Sequence, residues 1–394
     1  MATLVEATLM ESVQAMAPLI RAHAEEAEHA GYLSPETVEA MREARLFRMF
    51  VPKSLGGLEV DPITCTRVVE AVAAVDSVAG WALSNPLSYS FWCSRLPDEG
   101  STEIFGNNPD AIIAGPFHPP LRAMAVDGGY WVAGRAPLAS NCHDATWIAA
   151  TAMIMDGDEP RKHADETPEV RMIFLRPGDC EILNTWSALG MRGSGSDDIN
   201  VDNAFVPSAR TLLMAADAQR GTHYQGPLYR FPVIGLVCIL IPPITFALAR
   251  GAIDEVKALA QEKTPMGPKR FLREKPFAQA RVAQAEAALR SARALLYQSL
   301  EEVWQQMLAE EIFTVGLKAD LLLAATNAVQ SSARAVELMY SVAGATAIYT
   351  RSPLERYFRD MEVLKQHGFT SQSRWETVGQ VYLGLPPDLP VVAL

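Results

Sequence analysis

Few residues of this chain combine a reactive side chain with a setting that could use it. The stretch LERYFRDMEVLKQHG, Leu354 to Gly368, closes on His367, one of seven histidines in 394 residues. An imidazole with an ordinary pKa of about 6.5 can take a proton near neutral pH and return it. A cationic group at a helix end is equally what the negative pole of the helix dipole favours. Ser140, in LASNCHDATW, offers a hydroxyl that both donates and accepts, or else caps a turn before Asn141. His118, in GPFHPPLRA, is constrained by Pro119 and Pro120. His143 lies close to Ser140, but strand alternation directs it elsewhere. Arg359 and Asp360 are adjacent and poorly placed to face each other on a helix, so each is expected to pair elsewhere and hold the approach to His367.

Two further patterns carry less. The loop GMRGSGSDD holds three glycines and two serines, yet outside a strand-to-helix context a glycine-rich loop is weak evidence for a nucleotide. His23 and His29, among Glu25, Glu26 and Glu28, read as a solvated helix face rather than a metal site, and no metal is expected. The five cysteines, at 65, 93, 142, 180 and 238, show no CxxC spacing, which suggests reduced thiols in the cytoplasm.

The elements that must position these residues fall into three regions. Residues 1–108 repeat apolar positions every three or four, with Asp61-Pro62 as a capped helix start, and form an N-terminal helical domain. Residues 109–214 turn to short β-branched and aromatic runs separated by turn residues such as Asp127-Gly128-Gly129. That is a middle β-domain, a barrel or sandwich, with DGDEPRKHADETPE as a mobile surface loop. Residues 215–394 return to long alanine- and leucine-striped helices that suit a C-terminal four-helix bundle. The fold class is α+β, mainly α. At 49% hydrophobic and 20% charged the chain is globular, and a net charge of −12 disfavours nucleic acid and anionic membranes. The acidic N-terminus lacks the pattern of an export signal. The longest apolar run, Phe231 to Ala249, is split by Pro242 and Pro243 and reads as buried core.

Four ordered stretches, VPKSLGGLEVDP, GGYWVAGRAPLASNCHDATW, WSALGMRGSGSDDINVDNAFVP and SPLERYFRD, resemble the acyl-CoA dehydrogenase superfamily over nearly the whole chain. The resemblance implies a β-domain that holds a flavin ring against the bundle, and homotetramers. A dehydrogenase of that superfamily needs a carboxylate base, and neither of its two positions offers one: the first falls at Gly368, the second within Phe231 to Ala249. The acidic Gly-Ser motif ahead of the flavin strand is replaced by AGPFHPPLRAMAV.

These departures resemble the flavin-dependent monooxygenase branch, which includes the oxygenase components of p-hydroxyphenylacetate hydroxylase and dibenzothiophene monooxygenase. That branch takes reduced FMN or FAD as a co-substrate from a separate NAD(P)H:flavin reductase and, through a C4a-hydroperoxyflavin formed with O2, hydroxylates an aromatic or polycyclic small molecule. The resemblance implies catalytic roles for Ser140 and His367, with His118 a further candidate. It implies flavin contacts from Leu138, Ser140, Asn141, Arg192 and Ser194, and from Gly344 and Ala345 toward a neighbouring subunit's flavin phosphates. Asn141 stands where the branch commonly has glycine. Lys269, Arg270 and Arg273 are candidate phosphate cations, and Trp81, Phe91 and Trp92 candidate pocket lining. A dehydrogenase or oxidase using Glu362 as base, and a non-catalytic scaffold, are the alternatives.

Overall fold

The structure, a computed structural model, describes residues 4–388 except 119, 164–165, 215–218, 268 and 311–312. The expected boundary between 214 and 215 therefore adjoins residues outside the described set. Five helices open the chain: α1 (Leu4–Ala30), α2 (Pro35–Glu43), α3 (Pro62–Val75), α4 (Ser77–Trp92) and α5 (Asp98–Phe105). Their starts follow from side chains that accept from otherwise orphaned backbone N–H groups. Ser34 Oγ accepts from Thr37 N, Asp61 Oδ1 from Thr64 N with Pro62 in the first turn, and Asp76 Oδ1 from Ala79 N.

Nine strands follow among the described residues: β1 (Ile113–Ala114), β2 (Leu121–Val126), β3 (Gly129–Ala139), β4 (Trp147–Asp156), β5 (Glu159–Pro160), β6 (Val170–Leu175), β7 (Glu181–Ile182), β8 (Asp197–Pro207) and β9 (Thr211–Leu213). They form one mixed sheet in the order β7-β8-β3-β2-β4-β6-β9, with β1 and β5 also paired to β4. β4 runs parallel to β1 and β2 and antiparallel to β5 and β6. Strand alternation divides its side chains between two cores. Ile148, Ala150, Ala152 and Ile154 pack inside the β-domain with Val132, Ile173 and Ile199, while Trp147 and Ala149 join the helical core with Met172 and Phe174. The polar excursion after β4 is not a bare loop: β5 extends the ladder, Arg161 pairs with Asp156 at 2.7 Å, and Lys162 bridges Pro168.

The chain then returns to helices: α6 (Val233–Ile239), α7 (Pro242–Glu262), α8 (Pro276–Leu308), α9 (Val315–Ala343), α10 (Pro353–Leu364) and α11 (Arg374–Tyr382). Helices α7 to α10 form the bundle, α3 lies against α7, and α11 covers α9. The N-terminal helices and the bundle share one continuous hydrophobic core, whereas the sheet keeps its own. Gly235–Glu262 is long and apolar enough to cross a membrane, but its most apolar window is 89% buried inside the protein, as core.

Candidate active site

Strand β3 ends irregularly, and that irregularity builds the first half of the site. Its pairing with β8 shifts register between Ala136 and Ala139, where Leu138 takes a left-handed φ of 64°. Ser140 leaves the ladder buried, with its Oγ 2.7 Å from Ser196 Oγ, which lies 2.7 Å from Ser194 Oγ. Three hydroxyls thus form a chain, each able to donate or accept. Asn141 follows at φ 62°, its backbone N donating to Ser194 O at 2.9 Å and its amide Nδ2 to Ala82 O at 3.3 Å.

The neighbouring polar groups are committed to bracing this loop. His143 Nε2 lies 2.7 Å from Asp197 Oδ2 and stacks on Tyr32, and Asp197 also accepts from Trp186 N. Cys142, His143 and Asp197 are the one set of potential metal ligands within 4.8 Å of one another among the described residues. Burial pushes the Cys142 thiol up to about 12, and it donates to Gly195 O, so the set clasps the Ser140 loop to the start of β8. The glycines of the adjacent loop are consumed by packing: a Cβ on Gly190 would strike the α10 backbone at Arg359, and one on Gly193 the α1 backbone at Ala27. Arg192 braces the same loop, Nε donating to Ala188 O with Glu28 at 3.6 Å.

The second half is aromatic. His367 follows the end of α10, its ring 5.5 Å from that of Trp81 and 5.6 Å from that of Phe369. The row continues from Phe369 to Phe117 at 5.3 Å and from Phe117 to Trp92 at 6.1 Å. Burial lowers the His367 pKa to about 4, so the ring is neutral at pH 7. Its Nδ1 accepts from Phe369 N at 3.4 Å, which assigns the proton to Nε2 and makes that atom a donor toward a ligand. Helix α4 joins the two halves, because Trp81 touches His367 while the next residue, Ala82, accepts from Asn141.

Other candidates fall outside this row. Phe91 is fully enclosed between Phe50 and Tyr229, so it backs the wall instead of lining it. His118 is exposed, and it is its neighbour Phe117 that meets the aromatic row. Phe117 and Phe369 were missed as site residues, although each flanks a singled-out histidine. Glu362 is held by Lys365 at 2.7 Å, which removes it as a free base. Arg359 pairs with Glu28 and Glu355 at 2.5 Å each, while Asp360 accepts from Ser77 Oγ and Met191 N at 2.6 Å. These bonds fix α10, and hence His367, against α1, α4 and the glycine loop.

A separate corner surrounds Gly344, which ends α9 at φ 56° with Ala345 exposed beside it. Lys263, unrecognised from the sequence, donates Nζ to Ala343 O and Thr346 Oγ1 at 2.5 and 2.6 Å, and burial lowers its pKa. Arg281 reaches Ser341 Oγ at 2.6 Å. Arg273 donates to Gln261 instead, and Lys269 and Arg270 are exposed.

Residues 6–95 match the model for the acyl-CoA dehydrogenase N-terminal domain, and residues 241–372 that for an acyl-CoA dehydrogenase C-terminal domain. The chain is 30% identical to the indole-3-acetate monooxygenase of Pseudomonas putida over 367 residues, 93% of this chain and 91% of that protein. It is 26% identical to the flavin-dependent monooxygenase oxygenase subunit HsaA of Rhodococcus jostii, covering 96% of this chain and 98% of that one. The crystal structure of the HsaA monooxygenase from M. tuberculosis superposes with a TM-score of 0.89 at 23% identity, over 98% of this chain and 99% of the other.

Proposed function

The chain belongs to the acyl-CoA dehydrogenase superfamily as a flavin-dependent monooxygenase, and on that premise we propose that its aromatic row receives a planar aromatic substrate, an indole or a phenol, for hydroxylation. Reduced FMN or FAD, supplied by a separate reductase, furnishes two electrons that split O2 between the product and water. The donor set suits such a group: a buried hydroxyl chain matches the N–H and C=O edge of a flat heteroaromatic ring. Ser140, with Asn141 and the loop bearing Arg192 and Ser194, would hold that edge, and Leu138, 57% exposed, offers it an apolar surface. The Gly344 corner, with Lys263, would meet the flavin phosphates of a neighbouring subunit in a homotetramer. Free thiols on all five cysteines agree with a cytoplasmic setting.

One observation carries the reading: the neutral imidazole of His367 stands between two aromatic rings, and Gly368, open around its missing Cβ, follows it where a dehydrogenase would carry its base. His367 Nε2–H can orient a substrate oxygen or ring edge. The test supplies reduced flavin through an independent reductase, under 18O2, with a panel of indoles and phenols. Product bearing one labelled oxygen supports the reading, and His367→Ala should divert the reducing equivalents to hydrogen peroxide. Hydrogen peroxide alone from every compound, with the intact chain, would sink it.

A further inference from the structure

Helix α4 contains Pro86 in its interior, where a helix ordinarily sends each N–H to the carbonyl four residues back. Pro86 has no N–H, so the carbonyl of Ala82 loses its helical partner while Ala82 stays buried. The atom that reaches it is Asn141 Nδ2, at 3.3 Å, from the loop that follows Ser140 in the β-domain. We propose that Asn141 is a positioning residue: its amide replaces the hydrogen bond removed by Pro86 and thereby locks the Ser140 loop to the turn of α4 that carries Trp81.

Three observations converge on this assignment. Asn141 is 4% exposed and sits at φ 62°, a region asparagine tolerates better than most side chains, so it is built for this contact. Its backbone N is spent on Ser194 O at 2.9 Å, tying the hydroxyl chain to the same residue. The turn it grips is fastened on its other side as well, since Ser84 Oγ donates to Leu240 O at 2.8 Å just ahead of α7. Trp81, one residue before the gripped carbonyl, is the ring against which His367 rests. A change at Asn141 therefore moves the hydroxyl half of the site relative to the aromatic half without touching either Ser140 or His367.

The test is a double-mutant cycle. Asn141→Gly suits the positive φ and removes only the side chain; Pro86→Ala restores an N–H aimed at Ala82 O. In the flavin-free chain, Asn141→Gly should lower the melting temperature clearly more in the Pro86 background than in the Pro86→Ala background. With reductase and an accepted substrate, it should lower the product-to-peroxide ratio roughly five-fold, as loss of one hydrogen bond allows, and Pro86→Ala should not restore it, because a helical N–H satisfies Ala82 O without retying the loop to α4. Asn141→Asp, which tolerates the same φ and lacks the amide donor, repeats the cycle if the glycine variant does not fold. Equal losses of melting temperature in both backgrounds would overturn the lock. Melting coupling without any change in the product ratio would overturn the positioning role. Only the second readout rests on the proposed hydroxylation; a chain that makes no product leaves the melting cycle to decide the lock by itself.

Discussion

His367 carries an imidazole whose burial lowers its pKa from 6.5 to about 4, a shift with two measurable consequences. Because the folded value lies below the unfolded one, the stability contributed by the neutral ring is complete above pH 6.5 and is lost as pH falls toward 4. The melting temperature of the native chain should therefore fall more steeply over that window than that of His367→Gln, and the His367 ring signals should titrate well below 6.5 by NMR. A midpoint near 6.5 would mean that solvent reaches the ring freely. Ser140 depends on a partner of its own, Ser196, whose hydroxyl bridges it to Ser194. Ser196→Ala leaves Ser140 in place but unpartnered, and the product-to-peroxide ratio should drop about five-fold for one lost hydrogen bond; an unchanged ratio would show that the chain of hydroxyls is idle. Ser140 and His367 were singled out through the family resemblance, since a hydroxyl before a turn and an imidazole at a helix end each have an ordinary structural reading. Phe117 and Phe369 were not, since an aromatic residue serves a core equally well, and the contrasting fates of Phe91 and Phe117 depend on which way each faces.

The elements around the site owe their accuracy to close backbone approach. Gly190 lies where any Cβ would strike the backbone of Arg359 and Asp360, and the next residue, Met191, donates its N–H to Asp360 Oδ1 at 2.6 Å. Gly190→Ala should push the loop off α10, break that bond, and cost ~1–3 kcal/mol by overpacking. Thermal melting would register the loss, and hydrogen exchange should show the Met191 amide newly exposed; retained protection at Met191 would mean that the loop absorbs the methyl elsewhere. The same glycines, read along the sequence, could have signalled a phosphate cradle, because composition records that a residue is small and not what lies against it. The helix start at Asp61 was legible from local chemistry, since a cap needs only its own three or four neighbours. The hairpin of β5 was not, because its short, charged strand is set by pairing to β4 and by the Arg161 to Asp156 ion pair.

At the scale of the molecule, the two halves of the site meet where the β-domain abuts a helical core shared by the first and last thirds of the chain. Three regions were visible as changes of texture in the sequence, but their sharing of one core was not, since it arises from contacts such as those of α3 with α7 that are far apart along the chain. The surface is acidic overall, yet large apolar side chains stand exposed near the Gly344 corner and beyond it: Ile348 at 60% and Tyr349 at 50%. In the homotetramer proposed above, the corner would join these apolar groups to the cation Lys263 and to a glycine free of side-chain bulk. A second copy of the chain brought to this corner would cover the apolar groups and place its flavin phosphates against Lys263. If the assembly is the homotetramer that the family resemblance implies, sedimentation equilibrium should give a mass four times the 43.0 kDa chain. Ile348→Glu, which puts an unpaired charge into that contact, should shift the mass downward and weaken reduced-flavin binding by at least ~10-fold while the chain stays folded by circular dichroism. A variant that keeps both the assembly and the flavin affinity would show that subunits meet elsewhere and that the Gly344 corner faces only solvent.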